Sequence, residues 1–430
     1  GLLGKPLAVW ANVPGAAAPA EGSAEAQYLA GFGLPERKLS GAAPETLTAT
    51  WRQHRDKRPG SEAAMLGPTF NAALPPFYTR LHLLGVKGAS AMKANLDCIQ
   101  WKYDFSCLMV RKTTEADELA SAFPAIIEPY RGEPFIASVR SLDVAANEAD
   151  AERAVAVEVK LADGRADVCF ADGRPDTLRR VTRGDATLQV AGESAFYSED
   201  TRGPRQATLV GGTRLEAPGL RLSLPMRERT ARVVRADYLG RTIWIDKRWP
   251  ATAAQVLEIG LPGRMTSVTA LKVESDGGSS RMTLENGADF YRAQVESVDT
   301  EKGIVTCALG ITMTQRPGID RLWVASNDDR TQFWRADYLD NRRFQLSGAP
   351  ITRDSFGKAN ALRLWEYGAG DTVRQSVFAS LRRVDAADAP AQWELTADSD
   401  VEVALPDGRT VRVTADQLAA AGGTVRLDAR

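Results

Sequence analysis

Histidine occurs twice in this 430-residue chain, at His54 and His82. Imidazole is the side chain that titrates near neutral pH and a frequent metal ligand, so proton-transfer chemistry would be sought at these two positions first. Both sit among arginines. In Trp51-Arg52-Gln53-His54-Arg55-Asp56-Lys57-Arg58, a strand would place Arg52, His54 and Asp56 on one side. An arginine beside an imidazole can neutralise a substrate carboxylate while the histidine moves a proton. The plainer reading is a strand that ends in a solvated, charged loop before Pro59-Gly60. In Phe77-Tyr78-Thr79-Arg80-Leu81-His82-Leu83-Leu84-Gly85, alternation puts Tyr78, Arg80, His82 and Leu84 on one face and Phe77, Thr79, Leu81 and Leu83 on the other. A phenolate or imidazole base beside a cation is what β-elimination needs. The same face also describes a half-solvated strand. The candidate catalytic residues are therefore His54, Arg52, Tyr78 and His82, with Arg55 and Arg80 as candidate substrate-binding residues.

Other chemistry is thinly represented. Nine tryptophans are present, and Trp249, between Arg248 and Pro250 in an expected loop, is the candidate sugar-stacking platform among them. Most tryptophans in a strand-rich chain anchor cores instead. The acidic stretches 275–280 and 326–330 match no calcium-loop pattern and read as turns. Four cysteines without a CxxC pair, together with two histidines, make a zinc site improbable. There is no Gly-rich phosphate loop and no G-x-S-x-G elbow, and no cofactor is expected. A formal net charge of -1 gives no global field for nucleic acid or an anionic membrane, and no apolar run approaches a membrane span. A start at Gly1 reads as a processed or truncated product.

These residues would be positioned by strands. Val155, Val157, Val159 and Leu161 alternate with small or charged residues before Asp163-Gly164, and Val401, Val403 and Leu405 do so before Asp407-Gly408. Asp-Gly between alternating runs predicts a hairpin with a type I′ turn. Short strands are legible along the whole chain. Helical periodicity is weak, with short candidates at 24–31, 114–121, 252–258 and 415–421. The expected fold is all-β: a large antiparallel β-sandwich followed by a smaller β module, with few short helices. The expected division is an extended Ala/Gly/Pro-rich segment over 1–45, the main sandwich over 46–225, the smaller module over 226–350 and C-terminal strands over 351–430. Arg235-Ala236-Asp237-Tyr238-Leu239 returns as Arg335-Ala336-Asp337-Tyr338-Leu339, which reads either as a duplicated module or as a chance match of two strand openings.

The stretches Cys107-Leu108-Met109-Val110-Arg111-Lys112, Phe123-Pro124-Ala125-Ile126-Ile127-Glu128-Pro129-Tyr130-Arg131-Gly132-Glu133-Pro134-Phe135-Ile136 and Ser138-Val139-Arg140 resemble the β-sheet portion of heparinase II/III-like proteins. Leu209-Val210-Gly211-Gly212-Thr213 and Leu364-Trp365-Glu366-Tyr367-Gly368-Ala369-Gly370-Asp371 fit the same pattern. The resemblance implies a β-sandwich that would partner an N-terminal helical toroid. It further implies β-elimination on uronic-acid polysaccharides in a groove between the two, and a periplasmic or secreted setting. Weak helical periodicity leaves no toroid within this chain. The expectation is therefore a non-catalytic or incomplete sandwich part that contributes to binding an acidic polysaccharide. The alternatives are an active polysaccharide lyase and a purely structural or interaction module.

Overall fold

The computed structural model describes residues 9–11, 39–42, 45–53, 77–86, 89–98, 103–112, 122–147, 153–237, 240–250, 255–261, 264–285, 289–311, 323–384 and 392–427. The fold is all-β, with large antiparallel sheets, two small closed barrels and little helix. The chain divides into two compact units. One comprises residues 1–209, 214–222 and 403–410; the other comprises 210–213, 223–402 and 411–430.

The first unit opens with β1 (Val9–Ala11), β2 (Leu39–Ala42), β3 (Thr46–Gln53), β4 (Phe77–Leu84), β5 (Ser90–Cys98), β6 (Tyr103–Arg111) and β7 (Ala125–Arg131). These form a four-stranded sheet in the order β1-β3-β4-β7 and a three-stranded sheet in the order β2-β5-β6. There follow β8 (Ile136–Ser141), β9 (Asp143–Ala145), β10 (Val155–Leu161), β11 (Ala166–Ala171), β12 (Arg179–Arg183), β13 (Ala186–Asp200), β14 (Gly203–Ala217) and β15 (Leu220–Ser223). Here the pairing order is β8-β10-β11-β13-β14-β15, with β12 bridging β13 and β9. Alternation carries Val157 and Val159 into a core with Leu84 and Ile136.

Both Asp-Gly turns are present, but their type differs from expectation. Gly164 (φ 88°) and Gly408 (φ 84°) are left-handed, whereas their aspartates are not. The Asp163 and Asp407 carboxylates instead accept the amides of Arg165 and Arg409. An aspartate that caps the turn in this way stays right-handed, giving the longer hairpin loop that closes on a single left-handed glycine.

The second unit holds β16 (Glu228–Asp237), β17 (Thr242–Ile245), β18 (Gln255–Leu261), β19 (Arg264–Asp276) and β20 (Ser279–Leu284). Next come β21 (Asp289–Asp299), β22 (Ile304–Cys307), β23 (Trp323–Asn327), β24 (Phe333–Tyr338), β25 (Arg343–Ser347), β26 (Ala361–Trp365) and β27 (Thr372–Ser376). One barrel closes as β16-β17-β20-β19-β18-β27 and the other as β21-β22-β25-β24-β23-β26. Counted within each barrel, the two orders are identical, and the second barrel lies wholly between the fifth and sixth strands of the first. Beyond them, β28 (Phe378–Val384), β29 (Gln392–Ala397) and β32 (Thr424–Leu427) pair in that order. The chain also carries β30 (Val401–Ala404) and β31 (Thr410–Val413). A six-residue helix, α1 (Ala415–Ala420), lies where 415–421 was expected, capped by Thr414 with Gln417 in a reciprocal box. The expected helix at 252–258 is contradicted from Gln255 onward, where β18 begins. There Val256, Leu257 and Ile259 serve a strand paired on both sides, so tertiary pairing overrides a weak local pattern. The candidates at 24–31 and 114–121 lie outside the described residues. Among the described residues no helix is long and apolar enough to cross a membrane.

The barrels match in detail as well as in order. Val233 pairs Ile245 and a bulge follows before Arg235; Val295 pairs Cys307 and a bulge follows before Ser297. At each bulge the Val amide reaches the backbone of the closing strand's approach, Val233 to Asp371 O and Val295 to Asn360 O. Asp237 Oδ1 accepts the Gly240 amide as Asp299 Oδ1 accepts the Lys302 amide. Arg241 (φ 49°) and Gly303 (φ 68°) occupy the same left-handed position, their carbonyls taking the amides of Leu284 and Leu346. The unit therefore contains a structural duplicate, one copy inserted into the other. The Arg-Ala-Asp-Tyr-Leu echo is not its trace, because Arg235 lies on the first strand of one barrel and Arg335 on the fourth of the other.

A Cβ at Gly303 would stand 2.8 Å from the Leu346 carbonyl oxygen at a positive φ. Gly303→Ala should therefore cost about 1–3 kcal/mol in denaturant unfolding. In the second barrel, hydrogen bonds from Arg292, with Arg363 adding its charge, hold the Asp328 carboxyl at about 2, below its ordinary 3.8. Because the folded value is depressed, this stabilisation is complete above about pH 4 and is lost as pH falls toward about 2. Asp328→Asn should remove that part of the acid slope in melting curves taken across the window.

Candidate functional site

The four-stranded sheet brings three of the candidate residues together. On β4, alternation sends Leu83 to a core with Leu47, Val86, Ala89 and Ala91, and so turns Tyr78, Arg80 and His82 to the opposite face. Register fixes their neighbours: Arg80 stands between Thr50 and Glu128, Tyr78 between Arg52 and Tyr130, and His82 between Thr48 and Ile126.

The centre of the cluster is Glu128, whose side chain is fully buried. Its Oε1 accepts the amides of Phe135 and Ile136, both at 2.7 Å, where the chain turns into β8. Its Oε2 meets His82 Nε2 at 3.1 Å, with the Arg80 guanidinium 3.7 Å away. A buried carboxylate needs such donors, because an uncompensated charge in the interior costs several kcal/mol. Arg80 also donates to Thr50 Oγ1 (3.2 Å) and Tyr130 Oη (3.3 Å). The Tyr78 and Tyr130 rings stack, with centroids 5.1 Å apart and planes 12° apart, and the Arg80 guanidinium carbon lies 5.2 Å from the Tyr130 centroid.

The arrangement decides which chemistry is open. His82 is buried and its Nε2 is engaged by Glu128, so that nitrogen is not presented to a substrate proton. Arg80 keeps 24% of its side chain exposed and Tyr78 is half-buried. What this face offers a ligand is thus an aromatic ring beside a fixed guanidinium. Arg52 lies on β3 opposite Tyr78, while His54 and Arg55 fall outside the described residues. Trp249 belongs elsewhere. It lies in the other unit at 2% exposure, within the first barrel's core, its amide bonded to Ser280 Oγ. Its ring fills a core and offers no face to a sugar, which corrects the expected platform. The stretches 275–280 and 326–330 span turns at 277–278, in the β19–β20 hairpin, and at 328–329, just after β23.

Glu128 and Tyr130 are the members that sequence reasoning passed over. The available signal was a lone charge in the otherwise apolar run Ala125-Ile126-Ile127-Glu128. Among the described residues no group of three His, Cys, Asp or Glu converges as a metal site. The second unit has an apolar-sided cleft of about 470 Å³ between Lys272, Val273, Phe378, Leu418 and Asp398. Burial pushes the Asp398 carboxyl up, but Phe378 N, Gln375 and Arg229 already bond it. That acid serves the fold.

Removing the hub of the first cluster should be costly. Glu128→Ala strands two backbone amides and a buried imidazole, an expected loss of about 3–5 kcal/mol. Glu128→Gln, which keeps one acceptor oxygen, should lose less; denaturant titration of both variants checks the order. No protein-family model, no curated protein and no solved structure matches this chain.

Proposed function

We propose that this chain is the non-catalytic β-rich part of a heparinase II/III-like polysaccharide lyase, contributing to the binding of a uronic-acid-containing polysaccharide. The reading rests on the resemblance in 107–144 and on one geometric observation. A half-buried tyrosine, stacked on a second tyrosine, stands beside an arginine whose position is fixed by Thr50, Tyr130 and Glu128. Aromatic rings take the apolar faces of sugars, and a pre-positioned guanidinium takes a carboxylate with little further loss of side-chain freedom. An active lyase would require a base. His82 Nε2 is committed to Glu128, which favours binding over proton abstraction at this face.

Affinity electrophoresis in gels containing alginate, heparin or polygalacturonate tests the reading. The chain should be retarded, and Tyr78→Ala and Arg80→Gln should each weaken binding by about tenfold, the worth of one charge-assisted contact. The ultraviolet signal of an unsaturated product should not develop. Migration unaffected by every acidic glycan would leave a structural module; a growing ultraviolet signal would establish the lyase.

A further inference from the structure

We propose that Arg235, Trp244 and Arg281 form a second binding row, on the outer face of the first barrel, for a carboxylate-bearing polysaccharide. The proposal rests on the function proposed above and gives it a second site. The three residues stand directly opposite one another across β16, β17 and β20. Their strand neighbours Val233, Ile243, Ile245 and Met282 point into the core, so the row faces outward. Arg235 and Arg281 are exposed and Trp244 is half-buried. The guanidinium carbons lie 3.5 Å and 5.9 Å from the Trp244 ring centroid. A guanidinium laid on an indole is held in orientation, yet its N–H fork remains free to take a carboxylate in two parallel bonds. Arg235 has no carboxylate partner among the described residues. Arg281 stands opposite Glu274, whose carboxylate is paired with Lys272 at 2.7 Å and also feels the Arg281 charge, so Arg235 is the less neutralised of the two.

The duplicate barrel shows that the fold does not require this row. At the corresponding positions it carries Ser297, Thr306 and Arg343, and that arginine is closed by Asp340. Two exposed arginines on a tryptophan are thus additions to a scaffold that forms without them. A net charge of -1 for the chain suits a polymer carrying one carboxylate per sugar better than densely charged nucleic acid.

Binding of the full chain to alginate and polygalacturonate tests the row, with heparin and single-stranded DNA as sulfate and phosphate probes. Arg235→Gln and Trp244→Leu should each weaken uronate binding by about tenfold. Arg235→Lys, which keeps the charge but loses the fork, should fall between, and Arg343→Gln should match the parent. Thermal melts report folding; should Trp244→Leu melt early, the two Arg235 variants decide. Parent-like affinity in Arg235→Gln overturns the row even where Tyr78→Ala loses binding. No uronate binding by the parent rejects both proposals. Loss confined to DNA or to heparin overturns the carboxylate assignment.

Discussion

Closure is the constraint on which this structure depends. With so little helix, backbone amides must find their partners on other strands, and any open edge leaves a row of them unpaired. The second unit meets this by bending two sheets into barrels. The first barrel cannot close on its own contiguous sequence: β27, which pairs both β16 and β18, arrives only after the whole second barrel has been traversed. Val373 on that strand is fully buried beside Ala231 and Ile259. The core and the hydrogen-bond ring are therefore completed together, by a contact of high sequence separation. Such contacts carry a loop-closure cost before they stabilise anything.

The nested pair of barrels separates what closure demands from what it leaves open. Both copies retain a bulge after the first valine, an aspartate-capped turn and a left-handed residue that feeds its carbonyl to the fifth strand. These set twist and register, and a one-residue slip would turn every side chain to the wrong face. Inward positions stay apolar in both, Ile243 and Met282 in one, Val305 and Phe344 in the other. Outward positions are unconstrained by closure. There the copies part, an arginine–tryptophan row against serine and threonine, and it is on such surfaces that binding chemistry can change without cost to the scaffold.

The same physics explains what was legible in the sequence. Strands, hairpin turns and the final helix are written in local alternation and capping residues, such as Val155 to Leu161 before Asp163-Gly164 and Thr414 with Gln417. The face shared by Tyr78, Arg80 and His82 was legible for the same reason, since period two is a local property. Glu128 was not, because its role depends on β4 pairing β7 in one register, which no local pattern specifies. Trp249 looked exposed from its charged and proline neighbours, yet Ser280 on another strand draws its backbone inward. The duplication was hidden because the copies share backbone geometry and only scattered residues, such as Val233 with Val295 and Asp237 with Asp299. A chance pentapeptide repeat pointed to strands that do not correspond.

The fold also governs how the charges are used. Asp163, Asp172, Asp200, Asp237, Asp299 and Asp407 each accept a backbone amide two or three residues ahead, and from buried positions Asp371 accepts the Gly368 amide behind it, while Asp398 and Glu128 accept the more distant amides of Phe378 and Phe135. A chain of strands has many turns, and each turn leaves an amide that a short acidic side chain can satisfy. The carboxylates are spent in this way on architecture. Near-neutral overall charge then coexists with arginines such as Arg235 that no acid covers among the described residues. In a protein with few histidines, many of whose acids hold turns, surface arginines beside aromatic rings are the groups that the proposed anionic partner would meet.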